Sequence, residues 1–91
     1  MNSWPHKDPD EFLDYEVDWS DRLEEGETII ASAFTVQTGS VVKTTETLAT
    51  PVATVWLSGG AEGETCVITN RVTTSAGRIY DESVRLRIRS N

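Results

Sequence analysis

The chain has 91 residues, of which 37% are hydrophobic, and a formal net charge of −7. One domain of this size buries only roughly 60% of the surface its unfolded form exposes, which leaves little core for a deep internal cleft. A single cysteine, Cys66, excludes an intramolecular disulfide and a cysteine-based zinc site within one chain, and no apolar run approaches the ~20 residues of a membrane helix.

The charge is uneven. Residues 1–30 carry ten carboxylates against Lys7 and Arg22, and residues 31–91 carry five against six basic residues. An acidic third of this kind repels phosphates, so no nucleic-acid partner is expected. It suits a solvated surface or a basic partner patch. The first thirty residues lack a basic start followed by an apolar run, so no secretory signal is expected. The free thiol fits folding in a reducing cytoplasm.

Residues 1–12 read as an irregular N-terminal arm. Trp4-Pro5 and Asp8-Pro9 push positions 4 and 8 towards extended or turn geometry. From Leu13 the alternation is strict: Leu13, Tyr15, Val17 and Trp19 share one face, and Asp14, Glu16 and Asp18 the other. That is a half-buried strand. Ser20 to Gly26 is a polar loop into which a helical turn around Leu23 would fit. Residues 27–37 form a second strand, with Ile30, Ser32, Phe34 and Val36 of one parity.

Thr38-Gly39-Ser40 is a turn, and residues 41–48 form a third strand bounded by Pro51, which cannot donate to a ladder. In residues 53–58, Val55 and Leu57 oppose Thr54 and Trp56. After the glycines at 59, 60 and 63, residues 65–74 alternate weakly, with Cys66, Ile68 and Val72 set among threonines. Ser75 to Arg78 is a hairpin-type turn. The last strand, residues 79–89, points Val84, Leu86 and Ile88 one way and Arg85, Arg87 and Arg89 the other. Six to seven short strands with turns every ~8–12 residues make an all-β chain. The expected architecture is an immunoglobulin-like antiparallel sandwich over residues 13–90, preceded by the arm, residues 1–12.

The residues that could carry chemistry are few. His6 lies in the arm, and Cys66, flanked by Val67 and Ile68, reads as a small buried hydrophobe with an inert thiol. Asp8-Pro9-Asp10-Glu11 lacks the glycine and spacing of a calcium loop, and the glycines at 59–63 lack the Lys-Ser/Thr ending of a phosphate loop. No catalytic, cofactor or metal site is expected, and the chain reads as a structural or binding module. The three final arginines fit a cross-strand ion-pair ladder with the acidic strand 13–19, or a basic contact for a neighbour. One of Trp19 and Trp56 anchors the core. Trp4 either folds back over the sandwich or anchors another chain.

Three stretches together resemble a known family: residues 7–15 followed by Asp18-Trp19, residues 55–60, and residues 69–78 with Ser83 and Leu86 beyond. Their order and spacing are similar to those of the phage fiber-tail adaptor proteins, small virion proteins of tailed bacteriophages. The resemblance spans about residues 5–89. It implies an immunoglobulin-like fold and no catalytic residues. It also implies a place in the virion, where the protein joins tail fibres or neck components to the tail after synthesis in the bacterial host cytoplasm. The partners it implies are other virion proteins, in multiple copies; from the lack of a long apolar run, no membrane partner is expected. The alternatives are an outer capsid decoration protein and a free module that binds a host surface polymer. Within the arm, Trp4, Lys7, Asp8, Pro9, Asp10 and Phe12 are the expected partner contacts. In the strand after Gly63, where many such sandwiches place a tyrosine, this chain has Cys66.

Overall fold

The computed structural model describes residues 2–90, and no helix occurs among them. Seven strands form: β1 (Asn2–Ser3), β2 (Leu13–Asp18), β3 (Ile29–Thr38), β4 (Val41–Ala49), β5 (Val52–Gly59), β6 (Thr65–Thr74) and β7 (Ile79–Arg87). They build two sheets, a four-stranded one in the order β1-β7-β6-β3 and a three-stranded one in the order β2-β5-β4. All pairings are antiparallel except that of β1 with β7. The expected immunoglobulin-like sandwich is the observed fold.

The core lies between the sheets and follows the alternation. Tyr15, Val17 and Trp19 from β2 and its end meet Ala53, Val55 and Leu57 from β5. From the other sheet come Phe34, Cys66, Ile68, Val72, Val84, Leu86 and Ile88. Burial of a large apolar side chain contributes about 1.5–3 kcal/mol, so this alternation is the main stabilising term. Trp19 is the core tryptophan, 1% exposed, whereas Trp56 lies half-buried on the outer face.

Three details depart from the sequence expectations. A register shift between Ile29 and Ala31 reverses the parity at the start of β3, so Ile29 is buried and Ile30 exposed. A bulge adds one residue to one strand and so turns the side chains before it to the other face. Strand β6 alternates fully: Asn70 and Thr74 take buried positions with Cys66, Ile68 and Val72. Finally, β2 does not pair with β7. Arg85 and Arg87 stand opposite Val67 and Thr65 in one sheet, while Asp14, Glu16 and Asp18 belong to the other. The expected arginine–carboxylate ladder is therefore absent, because β2 pairs with β5 in one sheet and β7 with β6 in the other.

Each side of the sandwich closes its sheet edges differently. On the β2/β7 side the arm runs along β7: Trp4 N–H donates to Arg85 O (3.0 Å), Lys7 N–H to Arg87 O (3.0 Å), and Arg89 N–H to Lys7 O (2.9 Å). Trp4 also sends its indole Nε1–H across to Glu16 O on β2 (3.0 Å), so one residue ties both sheets. On the β3/β4 side no strand among the described residues bridges the gap. Glu46 accepts from Phe34 N–H (3.2 Å), Lys43 Nζ donates to Phe34 O (3.0 Å), and the two charges pair at 2.5 Å. Charged side chains at an edge discourage strand addition by another chain.

The turn between β3 and β4 explains the cysteine. Gly39 adopts φ +108°, and a Cβ there would sit 2.3 Å from Cys66 Sγ. Both the backbone conformation and the contact require glycine at 39 beside a small residue at 66.

Candidate functional site

The arm is a built part of the domain. Lys7 is fully buried, and its Nζ donates to Gly59 O (2.6 Å) and Asp8 O (2.9 Å). A buried ammonium is tolerated only when its donors find acceptors, and here two backbone carbonyls serve. Trp4 is half-buried and stacks on Tyr15, with ring centroids 4.9 Å apart. Burial, together with the nearby Glu11 and Asp14 carboxylates, pushes the Tyr15 hydroxyl up to about 12.

Beyond Lys7 the chain makes a closed turn. Glu11 N–H donates to Asp8 O (3.0 Å), Asp8 N–H to Glu11 Oε1 (2.8 Å), and Asp10 N–H to Asp8 Oδ1 (2.8 Å). Asp side chains form such turns readily by bonding the backbone two residues on. This local stitching engages one carboxylate oxygen each from Asp8 and Glu11. Among the described residues, no group of three or more His, Cys, Asp or Glu is placed to hold a metal ion. The turn leaves Asp8 and Pro9 half-exposed and Asp10 and Phe12 exposed at one end of the sandwich.

Of the six expected contact residues, then, four are accessible. Trp4 and Lys7 face their own domain. Phe12 leans on Trp56, with ring centroids 5.2 Å apart, and is 54% exposed. Trp56 lies on the middle strand of a surface that is spread over separate strands in the sequence. The register sets Asp14, Trp56 and Thr45 side by side, then Glu16, Thr54 and Thr47, then Asp18, Val52 and Ala49. Val42, exposed and opposite Ser58, extends the surface on β4. All these side chains point outward because their strand neighbours Tyr15, Val17, Ala53, Val55 and Leu57 are buried. The outer face of the three-stranded sheet is thus aromatic at one end and acidic along β2.

The opposite outer face, on the four-stranded sheet, carries threonines and arginines. Arg71 pairs bidentately with Asp81 (2.8 and 2.9 Å), and Arg85 and Arg87 are exposed towards one end. The remaining reactive groups lie apart from each other. Cys66 is buried, and burial raises its thiol above the usual range, with the Glu64 carboxylate adding to the rise. His6 is exposed at the arm edge, apart from Cys66 in the core. The nucleophile–base pair that one histidine and one cysteine could form is not assembled.

The family described as Podophage GP4 fiber-tail adaptor protein gp77 matches residues 7–87 of the chain. No curated protein matches it. Among solved structures, the solution structure of the PKD domain from the KIAA 1837 protein is similar, at TM-score 0.59 and 20% identity. That match covers 99% of this chain and 85% of the other, and at such identity it supports the fold alone.

Proposed function

Because this chain belongs to the podophage GP4 fiber-tail adaptor family, we propose that it is a non-catalytic virion adaptor that joins tail fibres or neck components to the tail. The observation that supports this reading is the accessible tip formed by residues 8–12. Three hydrogen bonds close it and buried Lys7 anchors its base. It presents Asp8, Pro9, Asp10 and the exposed Phe12 ring to a neighbour. Trp4 and Lys7 enter the site as the groups that position it. An aromatic anchor on a preorganised loop binds with little ordering cost, which suits a permanent joint in a particle.

The test uses particles assembled with Asp10→Lys/Phe12→Ser. Both positions are exposed, so the variant should fold as the natural chain does. Loss of a hot-spot aromatic should lower occupancy of the adaptor or its fibres by about tenfold or more. Wild-type occupancy of both would refute the assignment of this tip. Localisation of the protein on the capsid shell would refute the adaptor role itself.

A further inference from the structure

We propose that copies of this chain associate front to back, the outer face of the three-stranded sheet on one copy docking against the outer face of the four-stranded sheet on the next. This is independent of the adaptor reading and rests on charge, level and edge closure. The front face carries Asp14, Glu16 and Asp18 in one row beside Trp56, with no basic residue among its outward positions. The back face carries Arg85 and Arg87 in exposed positions, opposite Val67 and Thr65.

The two charged rows lie at the same height on opposite sides of the sandwich. Trp4 bonds Arg85 O through its backbone and Glu16 O through its indole, which places Arg85 level with Glu16. Lys7 bonds Arg87 O through its backbone and Gly59 O through its ammonium, which places Arg87 at the end where β2 begins with Leu13 and Asp14. A second copy set behind the first therefore meets carboxylates with arginines without sliding along the strands. Such a contact joins unlike surfaces, so it can repeat from copy to copy.

The edges point the same way. The arm covers the β2/β7 side, and Lys43 with Glu46 caps Phe34 on the β3/β4 side. Lateral strand addition is disfavoured on both sides, and the two faces remain as the broad surfaces for another chain. The occupant is a second copy because one chain supplies both complementary halves. Each contact is only three strands wide, so a single pair is weak and gains strength when several copies engage together.

Sedimentation of the full-length protein at concentrations up to on the order of 1 mM tests this. The natural chain should associate, and raising salt from low to about 0.5 M should weaken association about tenfold, since exposed charges are screened. Asp14→Lys/Glu16→Lys alone and Arg85→Glu/Arg87→Glu alone should each sediment as monomers. Their equimolar mixture should recover the association, because each reversed face then meets an opposite one. A natural chain that stays monomeric at low salt overturns the proposal, and that measurement needs no variant to fold. Association of either reversed variant alone at wild-type strength overturns it equally.

Discussion

Trp19 donates its indole Nε1–H to Asn70 Oδ1 at 2.9 Å in the buried core. Asn70 in turn donates through Nδ2 to Ser32 Oγ (2.9 Å) and Ala33 O (3.1 Å). One amide therefore ties the end of β2 in one sheet to β3 and β6 in the other. A buried network of this kind specifies one packing only if every member is satisfied. Asn70→Ala should leave the indole N–H without its acceptor and the Ser32 hydroxyl and Ala33 carbonyl without their donor. At about 1–3 kcal/mol for an unsatisfied buried group, the expected loss is about 3 kcal/mol. Urea unfolding followed by tryptophan fluorescence checks it, and a loss under about 1 kcal/mol would mean that the network relaxes.

Lys7 makes a second prediction. Lys7→Met keeps the buried volume but removes the donors to Gly59 O and Asp8 O. The expected destabilisation is about 1–3 kcal/mol, and Lys7→Ala should cost about 2 kcal/mol more through the cavity it leaves. Deleting residues 1–12 should destabilise the domain further, since β7 then loses its covering strand and β2 its bond to Trp4. The truncated chain is consequently a stability variant, and attachment is better tested by surface substitutions at residues 10 and 12. Thermal melting of the Met variant at the wild-type temperature would show that the ammonium contributes nothing.

Glu64 sets an acid limit. Its Oε1 accepts from Ser40 Oγ (2.6 Å), Ala61 N–H (2.9 Å), Ser40 N–H (3.1 Å) and Cys66 Sγ (3.4 Å). These bonds, Ser40 foremost, hold its carboxyl down to about 2 from the ordinary 4.5. The folded protein thus binds this proton more weakly than the unfolded chain does. The stabilisation is fully present above pH 4.5 and is lost as pH falls towards about 2. Glu64→Gln should flatten the fall in stability across that window. It should not abolish it, because Asp18, Glu27 and Asp81 are lowered as well. Unfolding curves from pH 6 to pH 2 compare the two proteins; identical slopes would exclude Glu64 as a contributor.

Glu46 and Lys43 predict a local effect. Glu46→Ala removes the acceptor of Phe34 N–H and the partner of Lys43. Stability should fall by about 1 kcal/mol, and the Phe34 amide should exchange with solvent faster than its neighbours in β3. Unchanged exchange at Phe34 would show that the edge is protected by the backbone alone.

Much of the fold was legible in the residues. The period-two patterns of Leu13 to Trp19 and of Val84 to Ile88 settled which faces are buried, because successive strand side chains must point to opposite sides. The turns at Gly39, Gly59–Gly60 and Gly77 followed from glycine's access to positive φ, which all four adopt. What the pattern concealed was polar burial. Asn70 and Thr74 look like surface residues until Trp19 and Glu27 are brought to them from 51 and 47 residues away.

Only the tertiary structure decided the rest. Alternation says that a strand has two faces but not which strand lies beside it, so the acidic row on β2 and the arginine row on β7 were legible while their separation into opposite layers was not. Lys7 shows the same division: its charge and its neighbouring prolines suggest an exposed arm. Its burial depends on carbonyls at Gly59 and on the β7 backbone, which only the folded chain places within reach. Local side-chain period is a property of the chain, whereas strand partnership and buried hydrogen bonding arise from contacts between residues far apart in it.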